Sequence, residues 1–345
     1  MQNLLTPLKN GVDLTALEIG EAVGGLLSDE VSHDDKAAFL EALRLKGETA
    51  SEIAGFVRAL LGHAIDPQID AAQVRGPMID ICGTGGDRME LFNVSTTSMF
   101  VLAAGGATVV KHGNRAITSS CGGADVLEAL GVRIDLPPRS LRECVEKLGL
   151  GFLFAPVYHP AFKAIAPVRK QLAERGIATI FNMLGPLLNP AQPGYQLVGV
   201  FSPTLLPKYA AALRELGREK AWAVHGDGTD ELTTTGISHV CEVTPDGVRE
   251  ISIDPSELGS PRAEVAQLRG GDRVENARLL TAILDGSENG SKRDIVLLNA
   301  AAGFLIAGLA PDLPAGMELA REQIRSGSAT AKLTALRSFT ETRAA

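Results

Sequence analysis

The sequence predicts an α/β protein, with a helical N-terminal segment ahead of a larger unit built on a mainly parallel central sheet. Three observations predict this. From residue 78 onward, short β-branched runs alternate with amphipathic helical stretches, the pattern of strand–helix–strand units. Residues 1–70 show helical periodicity instead. The chain has 37 glycines but only 4% aromatics, which suits an Ala/Val/Leu-packed α/β core with many tight loops better than a β-sandwich. Its 345 residues suffice for two domains.

Each element has a local reason. "SHDDKAAFLEALRLKG" (32–47) opens on a possible N-cap at Ser32, sets Ala37, Phe39, Leu40 and Leu43 at helical spacing and stops at Gly47. "TASEIAGFVRALLG" (49–62) carries a capping box, Thr49 with Glu52, and an apolar face of Ile53, Phe56, Val57, Leu60 and Leu61. Two short amphipathic helices cannot bury both faces alone, so they need the rest of the chain or a second subunit. The strand runs are "MIDIC" (78–82), "TVVK" (108–111), "VRIDL" (132–136), "GFLFA" (151–155), "YQLVGVF" (195–201) and "AWAVHG" (221–226). Helices are expected at "GADVLEALG" (123–131), "SLRECVEKLG" (140–149) and "TLLPKYAAALRELG" (204–217). Asp246-Gly247 marks a hairpin within 239–253, and 274–286 and 293–308 are helical. No repeat or low-complexity segment is present.

Composition narrows the function. No apolar run reaches the ~20 residues that span a bilayer, and the N-terminus lacks a signal-peptide layout, so a cytoplasmic protein is expected. The cysteines (82, 121, 144, 241) form no C-x-x-C pair, which suggests reduced thiols. A net charge of −8 argues against nucleic acid as the main partner, so positive charge for an anionic ligand must be local.

Four stretches carry candidate chemistry. In "DICGTGGDRMELFNVSTTSMF" (80–100), Gly83, Gly85, Gly86 and Asp87 follow a strand, where open α/β sheets bind ligands. Glycines there let backbone N–H groups approach a phosphate, and Asn93, Ser95 and Thr96 add donors near a helix start. A plain β-to-α turn is the competing reading, and neither a Rossmann nor a Walker fingerprint is present. "KHGNRAITSSCGGAD" (111–125) gathers Lys111, His112, Asn114, Arg115, Thr118, Ser119 and Ser120 at a second strand end; the competing reading is a solvated loop. "VHGDGTDELTTTG" (224–236) holds Asp230 and Glu231, adjacent acids suited to Mg²⁺ shared with phosphate oxygens, although adjacent surface acids are common. In "FAPVYHPAFKAIAPVRK" (154–170), His159 is read as starting a helix that carries Arg169 nearly three turns later. A planar Arg fork suits a carboxylate, but this segment alone favours a surface cation.

Together "GTGGD", "NVST", "KHGNRA", "ADVLEALG", "FAPVYHPAFK", "FNMLGPLLNP", "HGDGTDEL" and "RDIVLLNAAA" resemble the anthranilate phosphoribosyltransferases of tryptophan biosynthesis, in order from about residue 12 to 310. The wider fold is that of the nucleoside phosphorylases and related phosphoribosyltransferases, and such an enzyme with a different acceptor is the alternative. A non-catalytic binding protein on this fold is disfavoured by the acidic charge and the Asp230-Glu231 pair. The resemblance implies a helical domain over 1–72, joined by part of 160–190, and an α/β domain over 73–345. It also implies an active-site cleft between them and a homodimer formed through the helical domain.

The implied reaction joins the anthranilate amine to C1 of 5-phospho-α-D-ribose 1-diphosphate and releases pyrophosphate, with two Mg²⁺ ions. No catalytic acid–base residue is implied; catalysis comes from positioning and charge stabilisation. The donor is assigned Gly83, Gly86, Asp87, Leu91, Asn93, Val94, Ser95, Thr96, Gly123 and the run Lys111, His112, Gly113, Asn114, Arg115, Ala116, Ile117, Thr118 and Ser119. Gly83, Asn114, His159 and Arg169 are assigned to anthranilate, with Arg169 on its carboxylate. Ser95, Asp230 and Glu231 are assigned to the metal. The sequence departs from the family at Ser120, where Lys is usual, at Leu91, at Ala178 and in a slightly longer 170–178 segment. These departures bear on affinity more than on the reaction.

Overall fold

A computed structural model of the chain describes residues 1–86, 89–116 and 120–343. It opens with α1 (Gln2–Lys9), α2 (Ala16–Leu27), α3 (His33–Lys46) and α4 (Ala50–Leu61). Thr15 and Thr49 close capping boxes with Glu18 and Glu52, and Ser32 accepts the Asp35 N–H at the start of α3. Gly47, at φ 86°, ends α3. The apolar faces of these helices meet in one core through Leu8, Ile19, Val23, Phe39, Leu43, Phe56 and Leu60.

The α/β part runs β1 (Met78–Gly83), α5 (Val94–Ala104), β2 (Thr108–Gly113), α6 (Gly123–Ala129), α7 (Pro138–Leu148), β3 (Leu150–Phe154), α8 (Ala155–Tyr158), α9 (Ala166–Glu174), α10 (Phe181–Leu184), β4 (Tyr195–Gly199), α11 (Leu206–Glu215) and β5 (Lys220–Gly226). The hairpin β6 (Ser238–Thr244) and β7 (Gly247–Ile253) follows. The last helices are α12 (Val265–Leu268), α13 (Arg273–Leu284), α14 (Ser291–Ile306), α15 (Leu313–Arg325) and α16 (Ser328–Glu341). The strands form one sheet in the order β3-β2-β1-β4-β5-β6-β7. Its first five strands are parallel, and the hairpin adds two antiparallel ones.

Both faces of this sheet are covered, so its strands are apolar on both sides. Successive side chains alternate between two cores. Trp222 and Val224 of β5 pack with α5 and α14, whereas Ala221 and Ala223 share the second core with α11 and the N-terminal helices. That second core continues through Ile165, Val168 and Leu172, so α9 completes the helical bundle. Lys36 of α3 donates to the Ala164 carbonyl at 3.2 Å, and Ser51 of α4 reaches Glu215 of α11 at 2.6 Å. The chain thus returns to the N-terminal helices between β3 and β4.

Two local expectations differ from the structure, and two helices were not anticipated. Residues 132–136 are not a strand: β3 pairs only with β2 at that edge. The alternation is real, with Val132, Ile134 and Leu136 buried, but it packs the segment against helices, and the Arg133 N–H bonds Thr340 Oγ1 at 3.1 Å. His159 and Arg169 do not share a helix. A 3₁₀ turn over Pro160–Ala164 separates α8 from α9, because Pro160 and Pro167 can each begin a helix but cannot continue one. The terminal helices α15 and α16 lie beyond the expected 293–308 helix; Asp312, which caps α15 by accepting the Ala315 N–H, was the available signal.

Candidate active site

Strand order places the site. From β1 the sheet grows one way through β2 and β3 and the other way through β4 and β5. This reversal between β1 and β4 opens a crevice at their carboxyl ends, where open α/β sheets bind ligands. Gly83 of β1 stands opposite Gly199 of β4 at that point. The Thr84 N–H donates to the Gly199 carbonyl at 2.9 Å, and Thr84 Oγ1 accepts the Phe201 N–H at 3.0 Å.

Asp230 lies across this crevice. Its Oδ2 accepts the Gly85 N–H at 2.6 Å. A Cβ on Gly83 would come within 2.3 Å of that oxygen, and one on Gly199 within 1.4 Å of the Asp230 carbonyl. Close approach of backbone therefore requires glycine at 199, whereas at 83 a side chain would have to push the Asp230 carboxylate aside. Gly85 and Gly86 differ: both take positive φ (67° and 86°), which turns the chain away from β1 with open space around it. The structure thus joins the glycine loop and the Asp230-Glu231 loop, two candidates far apart in sequence.

The second donor loop is tied to the first. Asn93 Nδ2 donates to the Cys121 carbonyl at 3.0 Å, and Asn93 Oδ1 accepts from Asn276 at 3.0 Å. Asn93 thus bridges the two loops and α13. Val94 is buried at the start of α5, Thr96 is buried beneath Gly123, and Ser95 is half-buried beside them. Leu91 forms an isolated bridge with Arg269. Asn114 is exposed and its Oδ1 accepts the Arg115 N–H at 2.8 Å, while Ala116 donates to Asp125 Oδ2 at 2.9 Å. Arg115 turns outward onto Glu128 at 2.9 Å and over the Phe154 ring. Ser120 donates to the Gly271 carbonyl at 3.0 Å. Asp87, Ile117, Thr118 and Ser119 lie outside the described residues.

Beneath these loops is a polar network that composition did not reveal. Asp80, fully buried, accepts from the His112 backbone N–H at 3.3 Å and from Asn189 Nδ2 at 3.0 Å. Burial raises its pKa, opposed by the nearby Lys111 charge. Lys111 is itself buried and donates to the Ile81 carbonyl and to Ser95 Oγ. Gly113 ends β2 against the Phe152 ring. The signal for this network was one charged residue inside each of two strand-like apolar runs.

The bundle side of the cleft carries rings. His112 and His159 pack edge to face at 5.2 Å between ring centroids, His159 continues to Phe162 at 5.0 Å, and Phe162 to Phe181 at 5.8 Å. The Arg169 guanidinium lies 5.3 Å from the Phe181 ring centre. It makes no hydrogen bond or ion pair with the described residues, and burial lowers its pKa. Burial, then the neighbouring His159, lowers the His112 pKa to about 3. Burial lowers that of His159 as well. Both imidazoles are therefore neutral near pH 7, and His112 Nε2 and His159 Nδ1 are buried with no hydrogen-bond partner among the described residues. A run of rings beside a half-buried arginine that pairs with no carboxylate among the described residues fits a flat aromatic carboxylate.

Two surface recesses of about 380 and 1040 Å³ lie away from this cleft, around Glu128 and Gly131. Of the residues above, they share only Arg115 and its neighbours Glu128 and Phe154, so the strand-end crevice is the better candidate.

Known proteins agree with this geometry. The glycosyl transferase family a/b-domain model matches residues 75–330, and the family's helical-bundle domain model matches 2–64. The anthranilate phosphoribosyltransferase of Natronomonas pharaonis is 45% identical over 98% of this chain and 99% of its own length. The chain belongs to the anthranilate phosphoribosyltransferase family. A crystal structure of the Thermus thermophilus member superposes with a TM-score of 0.90 at 44% identity, covering 98% of this chain and 99% of that one. The Saccharomyces cerevisiae member, solved with PRPP and Mg, gives 0.87 at 27% identity over 99% and 98%. These family members bear the anthranilate name, so the nucleoside phosphorylase alternative is not favoured.

The acids fit a magnesium ion by their chemistry. Asp230 and Glu231 supply hard carboxylate oxygens, and no cluster of three or more His, Cys, Asp or Glu is present among the described residues. Mg²⁺ is commonly held by one or two carboxylates together with substrate phosphates and water, and the two adjacent acids match that chemistry.

Proposed function

We propose that this protein transfers the phosphoribosyl group of 5-phospho-α-D-ribose 1-diphosphate to the amine of anthranilate, the second step of tryptophan biosynthesis from chorismate. The observation that carries the reading is the meeting of a glycine loop and an acidic loop at the sheet's switch point, together with a run of rings beside Arg169. In the reaction the amine lone pair forms the N–C1 bond, the C1–O bond to diphosphate breaks, and the nitrogen loses one proton to solvent. The glycine loop at 83–86 and the side chains of Asn93, Ser95 and Thr96 line the diphosphate side, and residues 111–119 wrap the phosphoribosyl part. Arg169 and Asn114 orient the acceptor, with His159 against its ring. Asp230, Glu231 and Ser95 are assigned to two Mg²⁺ ions, which neutralise charge on the leaving diphosphate when bound. A ring amine held in line is nucleophilic enough to need no strong base.

The assembly assigned is a homodimer through the helical part. Leu17 and Leu45 are 88% and 87% exposed, and Val12 is 53% exposed. The 2.6 Å Lys46–Asp13 pair and the Leu14 N–H to Glu52 bond draw these segments into one surface, whose exposed leucines suit a second copy. A cytoplasmic location accompanies this function, supported by four unpaired, buried cysteines. No helix among the described residues is long and apolar enough to cross a membrane.

The test is acceptor choice. With donor and Mg²⁺ supplied, the protein consumes anthranilate and leaves pyrimidine bases untouched. Equal turnover of a pyrimidine would return the alternative to favour.

A further inference from the structure

Leu232 follows the Asp230-Glu231 pair. It is wholly buried yet belongs to no strand. A buried backbone N–H and C=O must each find a partner. Both find the same one, Asn299 of α14, 67 residues further along the chain. Asn299 Oδ1 accepts the Leu232 N–H at 3.2 Å, and Asn299 Nδ2 donates to the Leu232 carbonyl at 2.8 Å. The second Nδ2 hydrogen goes to the Ile295 carbonyl of α14 itself, at 2.9 Å. The amide thus stands in for a neighbouring strand, offering one acceptor and one donor as a peptide group does. Asn299 is wholly buried, and it is the one polar side chain between Ile295 and Ile306. Its helix is firmly held: α15 packs so closely on it that a Cβ on Gly316 would stand 2.8 Å from the Ala301 carbonyl.

The other end of the acidic pair is fixed as well. Gly226 and Thr229 exchange backbone hydrogen bonds at 3.0 and 2.9 Å, across a turn in which Asp227 and Gly228 take positive φ. Thr229 Oγ1 donates to the Gly226 carbonyl at 2.8 Å. His225 Nε2 accepts the Gly228 N–H at 3.3 Å, so the ring proton sits on Nδ1, which donates to the Val200 carbonyl at 2.8 Å. Asp230 and Glu231 therefore lie between two anchors, a turn at the end of β5 and a side-chain clamp from α14. The backbone beneath both carboxylates is set by the protein's own contacts.

We propose that Asn299 is a positioning residue for the acidic pair: it acts through the Leu232 backbone and fixes where Asp230 and Glu231 present their oxygens to magnesium. This rests on the reading of those two acids as magnesium ligands. It gives the stretch "RDIVLLNAAA" (293–302) a part in the reaction that its apolar composition does not announce.

The test titrates 5-phospho-α-D-ribose 1-diphosphate calorimetrically over a series of Mg²⁺ concentrations, without anthranilate. The proteins are wild type, Asn299→Leu, Asp230→Asn with Glu231→Gln, and the triple variant. Asn299→Leu roughly keeps the volume and removes both contacts with Leu232. It is expected to raise the Mg²⁺ concentration needed for half-maximal donor binding about 10- to 100-fold, the loss typical of a group that orients metal ligands. At a fixed Mg²⁺ concentration it is expected to weaken donor binding about tenfold beside the native acids, and less than about twofold in the variant lacking them. An unchanged Mg²⁺ requirement, or an equal loss in both backgrounds, would show a merely structural side chain and overturn the proposal. If Asn299→Leu does not fold, amide exchange of the wild type decides. Without metal and donor, the Leu232 N–H is expected to exchange at least about 100-fold more slowly than an exposed amide. Protection that arises only with Mg²⁺ and donor would show that the ligands order this segment, and overturns the proposal too. A wild type whose donor binding ignores Mg²⁺ removes the reading of the acids and the proposal with it. Mg²⁺-dependent binding that Asn299→Leu leaves intact removes the proposal alone.

Discussion

Gly83→Ala perturbs the junction on which the account depends. The new methyl group would stand 2.3 Å from Asp230 Oδ2 and 2.9 Å from Asp230 Cγ. Ordinary contact distances begin near about 3.5 Å, so the carboxylate must retreat by about 1 Å. Overpacking of this kind costs about 1–3 kcal/mol of stability. The functional cost is larger in proportion, because a displacement of about 1 Å in a positioning group lowers turnover on the order of 10²-fold. Gly85→Ala is the control: its φ of 67° makes alanine strained, but open space surrounds the position. Steady-state kinetics with varied Mg²⁺ and donor, beside thermal melts, read both variants. The expectation is a folded Gly83→Ala protein with kcat/KM for the donor reduced about 100-fold and a raised Mg²⁺ requirement, and a much smaller loss for Gly85→Ala. Gly83→Ala with wild-type kinetics would refute the apposition of the two loops.

Arg169→Ala is expected to raise KM for anthranilate about 10- to 100-fold, the loss of a charge-assisted pair, with little change for the donor; equal effects on both substrates count against its assigned role. Stability should fall on acidification below pH 6.5. His112 has its pKa lowered from 6.5 to about 3, so the unfolded chain binds the extra proton first across that window; the contribution is whole above pH 6.5 and lost as pH falls toward 3. His112→Asn should remove up to about 1.4 kcal/mol per pH unit of that slope in denaturant titrations, and an unchanged slope would show that the ring is not held neutral. Leu17→Glu with Leu45→Glu should convert a dimer to monomers in sedimentation velocity, and a wild type already monomeric removes the proposed interface.

Much of the fold was legible because local and tertiary signals agree. Thr49 with Glu52 caps α4, and each glycine-terminated β-branched run in the sheet stands at a strand end that reaches the crevice. The 132–136 run shows where the signal fails: period-2 burial marks any extended segment with one face on a core and does not reveal whether a neighbouring strand is free to pair. The break between His159 and Arg169 was present as Pro160 and Pro167, which count for more than spacing. At the site, the glycine loop read locally as either a phosphate turn or a plain β-to-α turn, and the acidic loop as either a magnesium pair or ordinary surface acids; their meeting depends on strand order, which no local pattern encodes. Loop composition likewise could not tell that Lys111 turns into the core while Asn114 and Arg115 stay at the surface, because the carboxylate that organises the loop, Asp80, lies on another strand.

The most direct test of the account is fluorescence-monitored consumption of anthranilate by the purified protein with 5-phospho-α-D-ribose 1-diphosphate and Mg²⁺, run beside Asp230→Asn with Glu231→Gln. The account predicts loss of anthranilate fluorescence with one pyrophosphate released per molecule consumed, dependent on Mg²⁺ and abolished in a double variant that still melts cooperatively. Unchanged fluorescence in the wild type, or undiminished turnover in the double variant, would contradict it.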